Sequence, residues 1–146
     1  VNALPLVNNG NIIDNFKITF KDGKVVDYSA EVGYDALKGL LSSDEGVLSL
    51  GEIALIGKHS PIAESGILFF NTLFDENAVC HLALGEGYTN TLRGFADMTR
   101  EECTAAGIND SMIHEDFMIG SADMSIDAVC EDGRTVPIFR DGSWAF

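Results

Sequence analysis

The alternation of apolar and polar residues along this chain predicts a mostly antiparallel β structure. FKITF and VVDYSA alternate with period two, and they flank Asp22-Gly23, a residue pair typical of tight hairpin turns. Further strands are predicted in GVLSLGEIALIG, which has period two, and in HEDFMIG, MSIDAVC and TVPIF, before RDGSWAF closes the chain. We read ILFFNTLF as ambiguous between strand and helix, and HSPIAESG as a loop marked by Ser, Pro and Gly.

Two or three short helices interrupt these predicted strands, which makes the expected fold class α+β. GYDALKGLLSS places its apolar residues on one helical stripe, and TREECTAAG begins with a Thr99–Glu102 capping box and stops at Gly107. DENAVCHLALGEGY, residues 75–88, is predicted to be helical because Asp75 or Asn77 can cap it and good helix formers follow.

His114 and Asp116 stand out because residues two apart on a strand point to the same face. An imidazole and a carboxylate side by side form either a hydrogen-bonded pair or two ligands of one metal site. The three-residue pattern alone leaves both interpretations open. Glu115 falls on the opposite face.

Glu52, His81 and Tyr88 are further candidates, each with a structural alternative. Glu52 shares its predicted strand face with four aliphatic residues, so it has a partner or faces solvent. His81 lies in an apolar stretch, where a backbone carbonyl often satisfies a histidine. On the predicted helix Tyr88, seven residues later, shares the His81 face. Glu76 lies near the predicted helix start, where an acid favours the helix dipole.

Taken together, Glu52, His81, His114 and Asp116 are oxygen and nitrogen donors without thiolates. Such a set suits zinc, cobalt or manganese, and nearby acids could bridge two ions. From the residues alone, a divalent metal site and a set of unrelated structural side chains both remain open.

The net charge of −14, from 23 acidic and 9 basic residues, argues against nucleic acid and anionic membrane surfaces as partners. No apolar run is long enough for a transmembrane helix and no leader is visible. Three cysteines without CxxC spacing indicate a cytoplasmic protein. We expect one domain over residues 1–146, and the start at Val1 suggests a processed or truncated chain.

The phrases GEIALIG, SPIAESGILFFNTLFDENAVCHLALG, NDSMIHEDFMIGSADMSID and DGRTVPIFRDGSWAF resemble the C-terminal part of the thermophilic aminopeptidase family. The resemblance runs in order from about residue 5 to Phe146. Glu115 departs from the family pattern, which usually has valine there. The family consists of metal-dependent bacterial exopeptidases, so the resemblance implies the catalytic part of a larger two-domain enzyme.

The resemblance implies two divalent ions (Zn, Co, Mn or Mg), held in part by Glu52, His81, His114 and Asp116, with Tyr88 as the catalytic tyrosine. It implies a peptide substrate, and a missing N-terminal domain of the same protein that carries two further functional glutamates. We therefore expect the isolated chain to be inactive and, because its face toward that domain is uncovered, to form a homodimer. The alternative is a non-catalytic β-rich assembly or binding domain.

Overall fold

The computed structural model describes residues 4–67, 69 and 71–146. Within them the chain forms four short α-helices: α1 Tyr34–Leu41, α2 Pro61–Ser65, α3 Thr72–Asp75 and α4 Arg100–Ala105. The strands are β1 Leu6–Asn8, β2 Asn11–Lys21, β3 Lys24–Val32, β4 Leu50–Ala54, β5 His81–Gly85, β6 His114–Met118, β7 Ile126–Val129, β8 Thr135–Arg140 and β9 Ser143–Trp144. None of the described helices has the length and apolar character needed to cross a membrane.

The chain divides into two compact units, each built from two stretches of sequence. Unit 1 comprises Val1–Ile53 and Leu82–Phe117, and unit 2 comprises Ala54–His81 and Met118–Phe146. Three-stranded sheets form in the orders β1-β2-β3, β4-β5-β6 and β7-β8-β9. The predicted α+β class with mostly antiparallel strands is confirmed.

The long hairpin of β2 and β3 in unit 1 follows the predicted turn. Asp22 and Gly23 both have positive φ, 51° and 78°, as a two-residue turn between twisted strands requires. Helix α1 buries Leu37, Leu40 and Leu41 of the predicted apolar stripe, whose fourth member, Ala36, is only partly buried. Its preceding residue is Gly33 because a Cβ there would lie 2.2 Å from the Ile12 carbonyl oxygen.

Strand β5 corrects the predicted helix over residues 75–88. HLALG is a strand buried at every position, and it lies between β4 and β6. A strand covered on both faces is a continuous apolar run, so its sequence lacks the alternation that identifies half-buried strands. The helical residues nearby are α3, capped by the Asn71 side chain, and a 3-10 turn at Glu76–Ala78.

The segment predicted as the loop HSPIAESG contains helix α2. The Ser60 side chain accepts from the Ala63 amide, Pro61 occupies the first turn, and Gly66 ends the helix at φ 63°. These are the signals of a helix N-terminus and C-terminus, with only five residues between Ser60 and Gly66. The capping box of Thr99 and Glu102 at α4 is confirmed.

Unit 2 contains the antiparallel sheet β7-β8-β9. Fully buried Phe139 on β8 packs edge-on against Trp144 on β9, with 4.5 Å between ring centroids. Leu68 and Phe70 of the ambiguous ILFFNTLF run lie outside the described residues, and its end forms α3.

Candidate metal centre

Glu52, His114 and Asp116 form a group of potential ligands in unit 1. One ligand atom from each lies within 4.8 Å of the others. His114 and Asp116 are two residues apart on β6 and so share a face, while Glu52 comes from β4. Because neighbouring strands lie about 4.8 Å apart, Glu52 reaches His114 across β5, which has small residues at Ala83 and Gly85.

The spacing around the His114 Nε2 atom separates the two interpretations of the His114–Asp116 pattern. Nε2 lies 3.5 Å from Glu52 Oε2 and 3.4 Å from Asp116 Oδ1. Both separations exceed the usual hydrogen-bond range of about 2.7–3.2 Å. Two atoms bound tetrahedrally at about 2.1 Å from one ion lie about 3.4 Å apart. The separations therefore fit two ligands of one ion better than a direct hydrogen bond.

The orientation of the His114 ring is set through its other nitrogen. Nδ1 lies 2.7 Å from the backbone carbonyl oxygen of Glu86. A carbonyl only accepts, so Nδ1 carries the proton and donates it, which leaves the lone pair of the neutral ring on Nε2. A metal-binding histidine typically has this arrangement, with one nitrogen donating to a carbonyl and the other facing the ion.

Charge and burial at the group favour a cation. The side chains of Glu52, His114 and Asp116 are 26%, 20% and 8% exposed. Two carboxylates held this close in a half-buried site repel each other, because little water remains to screen them. A divalent cation between them removes that repulsion, and the donor set of two oxygens and one nitrogen suits zinc, cobalt or manganese.

Tyr88 lies next to the His114 imidazole, and the predicted helical face shared by His81 and Tyr88 is wrong. Residues 81 and 88 do not share a helical face, because β5 ends at Gly85 and Tyr88 follows it in an extended conformation. The Tyr88 Oη atom lies 3.3 Å from His114 Nε2, and the two ring centroids are 4.8 Å apart. The Tyr88 side chain is 50% exposed, so its hydroxyl can meet a molecule that arrives from solvent.

Glu115 lies between two of these residues in sequence but is engaged elsewhere. Its Oε2 accepts a hydrogen bond from Asn8 Nδ2 at 2.9 Å. Burial raises the pKa of the Glu115 carboxyl, and the Asn8 hydrogen bond opposes that rise. The side chain thus contacts β1, in accord with its predicted position on the face opposite His114 and Asp116.

His81 and Glu76 form a second pair, in unit 2. A ring nitrogen of His81 and a carboxylate oxygen of Glu76 lie within 4.8 Å of each other. His81 is 2% exposed and its Nδ1 lies 3.1 Å from the Val79 carbonyl oxygen, so in the neutral ring Nδ1 donates to that carbonyl and the lone pair lies on Nε2. Because His81 and Glu52 belong to different units, the convergence of His81 with the Glu52–His114–Asp116 group stays a prediction.

Glu86 is the residue at this site that sequence reasoning missed. It lies two positions before Tyr88 in GEGY, which resembles an ordinary polar turn. Its role depends on contacts with residues 111–114, about 25 positions later, and no local pattern reports such contacts. The neighbouring glycines were the feature of the sequence that could have pointed to a close backbone contact here. Gly85 has φ 94°, and a Cβ added to it would lie 2.0 Å from the Ile113 carbonyl oxygen.

Comparisons with known proteins identify relatives that are named aminopeptidases. Aminopeptidase 2 of Geobacillus stearothermophilus is 56% identical over 145 residues, which are 99% of this chain and 35% of the relative. Aminopeptidase T of Thermus aquaticus is 44% identical over 140 residues, 96% of this chain and 34% of the relative. The chain thus spans about a third of the length of the curated relatives it matches.

A solved structure described as wild-type AmpT from Thermus thermophilus superimposes with a TM-score of 0.88 at 40% identity. The match covers 100% of this chain and 36% of that one. The sequence profile described as "Thermophilic metalloprotease (M29)" matches residues 1–144. Because that match covers nearly the whole sequence, the chain belongs to the thermophilic metalloprotease family M29.

Proposed function

We propose that this chain is the C-terminal metal-binding part of a longer metal-dependent aminopeptidase, which removes N-terminal residues from peptides. The observation that carries the proposal is the placement of Glu52, His114 and Asp116, with ligand atoms within 4.8 Å of one another. Names of relatives such as Aminopeptidase 2 and Aminopeptidase T support the reaction class.

The ligands proposed within this chain are Glu52, His81, His114 and Asp116. They are proposed to hold part of a centre of two divalent ions (Zn, Co, Mn or Mg). Such a centre supplies an activated water and polarises the scissile carbonyl. His114 presents Nε2 to the centre because its Nδ1 is held by the Glu86 carbonyl. Glu76, within 4.8 Å of His81, is a further candidate ligand.

Tyr88 is proposed as the donor that stabilises the oxyanion of the tetrahedral intermediate. Its hydroxyl lies 3.3 Å from His114 Nε2, next to the proposed reaction centre, and the side chain is half exposed. When Nε2 is occupied as a ligand, the hydroxyl can donate to substrate. The general base and a further ligand are proposed to come from the N-terminal part of the longer protein.

The peptide substrate, the cytoplasmic location and the homodimer are also proposals. The net charge of −14 favours the approach of a peptide whose free α-amine is protonated. A cytoplasmic location is supported by the three cysteines, none of which is in a disulfide. A homodimer is proposed because unit 1 exposes apolar side chains at Val7, Ile12, Val26 and Val32.

The test assays the longer protein and the 146-residue chain side by side, each with added zinc, cobalt or manganese, on an amino-acid anilide. We expect chelator-sensitive hydrolysis by the longer protein and near-background hydrolysis by the 146-residue chain, because the base is proposed to come from the N-terminal part of the longer protein. Asp116→Asn in the longer protein should lower bound metal and activity together. The matched control is Asp132→Asn, which removes an exposed acid paired with Arg134 in unit 2.

Two results would contradict parts of this proposal. Robust chelator-sensitive activity from residues 1–146 alone would show that the site needs nothing from outside the chain. A longer protein that purifies without metal, gains none on addition and hydrolyses no peptide would favour the non-catalytic binding or assembly domain.

A further inference from the structure

We propose that Glu86 is a positioning residue for the candidate metal centre. It is proposed to hold the segment 111–114 so that His114 keeps its proton on Nδ1 and directs Nε2 to Glu52 and Asp116. The inference rests on the proposed function, since it assigns a role within the same site.

Glu86 contacts this segment at three points through three different groups. Its backbone amide donates to the Ile113 carbonyl at 2.6 Å, and its backbone carbonyl accepts from His114 Nδ1 at 2.7 Å. Its side-chain Oε2 accepts from the Ser111 amide at 2.8 Å. The two backbone contacts hold the Glu86 backbone against residues 113 and 114. The side-chain contact is proposed to keep residue 111, and with it the segment 111–114, from moving away from Glu86.

Two neighbours of Glu86 support these contacts: Gly51 leaves room for its carbonyl oxygen, and Arg100 pairs with its carboxylate. Gly51 on β4 has no side chain, and a Cβ there would lie 2.1 Å from the Glu86 carbonyl oxygen, the acceptor for His114. Arg100 Nη2 lies 3.2 Å from Glu86 Oε2 and also pairs with Asp110. The side chain of Glu86 is 27% exposed, so few water molecules can replace the Ser111 amide as its hydrogen-bond donor.

The consequence for the site concerns the imidazole more than the fold. A neutral histidine protonated on Nδ1 has its lone pair on Nε2, the atom 3.4–3.5 Å from the two carboxylates. If the segment shifts, the Nδ1 bond to the Glu86 carbonyl is lost, and the ring can protonate on Nε2 and donate to a carboxylate. That tautomer cannot bind a metal through Nε2. Loss of such an orienting contact typically costs about 10–100-fold in metal affinity.

The experiment compares substitutions that change either the length of the Glu86 side chain or its negative charge. Glu86→Ala removes the acceptor for the Ser111 amide. Glu86→Asp keeps the charge beside Arg100 but withdraws the carboxylate by one methylene, whereas Glu86→Gln keeps an oxygen within reach and loses the charge. Asp110→Asn is the matched control, because Asp110 also pairs with Arg100 but its side chain does not bond the Ser111 amide.

Two readouts are measured on the longer protein: zinc and cobalt affinity, and the protonation of the His114 ring nitrogens in the metal-free protein. The second uses nitrogen-15 NMR of labelled histidine above the pH range where histidines ordinarily titrate, with assignment by a His114→Gln variant. We expect Glu86→Ala and Glu86→Asp to bind metal about tenfold or more weakly and to lose the uniform Nδ1-protonated form. Glu86→Gln and Asp110→Asn should resemble the unsubstituted protein in both.

The outcomes distinguish this inference from the proposed function. If the unsubstituted protein binds no metal, the proposed function fails, and the NMR readout still decides the role of Glu86. If metal binds but Glu86→Asp retains full affinity and tautomer while Glu86→Gln loses them, charge rather than reach matters and the inference is overturned. Unchanged affinity and tautomer in both substitutions, with only a lower unfolding temperature, would also overturn it. The Asp–Gln comparison decides the question even where Glu86→Ala does not fold.

Discussion

Substitution of Tyr88 by phenylalanine is the most direct test of the proposed chemistry. The change removes one hydroxyl, whose oxygen lies 3.3 Å from His114 Nε2, and keeps the ring that packs at 4.8 Å from the imidazole. The side chain is 50% exposed, so the change in unfolding free energy should stay within about 0.5 kcal/mol. The loss of one oxyanion donor lowers kcat by about 10²–10³, equivalent to about 2.7–4 kcal/mol of transition-state stabilisation.

The assay uses the longer protein, because the 146-residue chain is expected to be inactive, and measures kcat and KM on an amino-acid anilide together with bound metal per chain. Metal content should be unchanged, because the tyrosine is not among the proposed ligands. Tyr34→Phe is the matched control, since Tyr34 is 45% exposed and stacks on Tyr28 elsewhere in unit 1. If Tyr88→Phe stripped the metal, Tyr88 would be a ligand. If the rate were intact, the hydroxyl would have no part in catalysis.

Three further predictions follow from the same unit. Gly85→Ala should destabilise the protein by about 1–3 kcal/mol from the φ of 94° alone, with more from its clash with the Ile113 carbonyl; an unchanged urea midpoint would refute this. The hydrogen bond that the Met112 amide donates to the Asp44 carboxylate is the largest cause of the lowered pKa of Asp44. The ionised carboxylate therefore stabilises the folded protein fully above the ordinary pKa near 3.8, and this contribution is lost as pH falls through the lower pKa of the folded state. The unfolding free energy of Asp44→Asn should therefore lie below that of the unsubstituted protein at pH 7 and approach it in acid, and parallel pH curves would contradict the assignment. Because imidazole must be neutral to bind metal, metal affinity should fall as pH drops through the ordinary histidine range, and a flat affinity between pH 7 and 5 would argue that His114 is structural.

The parts of the fold that were predicted correctly depend on local chemistry. The Asp22-Gly23 turn, the Thr99 capping box and the shared face of His114 and Asp116 each follow from residues within four positions of one another. Local geometry of this kind is largely independent of the rest of the chain. The resemblance implied a ligand role for Glu52, which the strand pattern alone left open and which stays a prediction.

The errors arose where distant contacts decide local structure. His81–Gly85 contains good helix formers, yet it is a strand because β4 and β6 pair with it on both sides. The helical offset that placed Tyr88 on one face with His81 does not exist, whereas its catalytic role was implied by the resemblance and stays a prediction. Tyr88 follows the end of β5 at Gly85, where φ is 94°, and Glu86 there hydrogen-bonds to the Ile113 carbonyl and to His114 Nδ1. These contacts bring Tyr88 close to His114.

Strand order gives a physical reason for the use of a buried strand in the middle of this site. Residues on adjacent strands would place their ligand atoms within reach without help, but Glu52 and His114 are separated by β5. Glu52 Oε2 and His114 Nε2 lie 3.5 Å apart, and the strand between their two strands, β5, has small residues at Ala83 and Gly85. The same glycine lets the chain turn so that Glu86 can bond to Ser111, Ile113 and His114. Ala83 favours a helix whereas Gly85 disfavours one, so the small residues of HLALG carry no consistent local signal, and their use here follows from the neighbours of the strand.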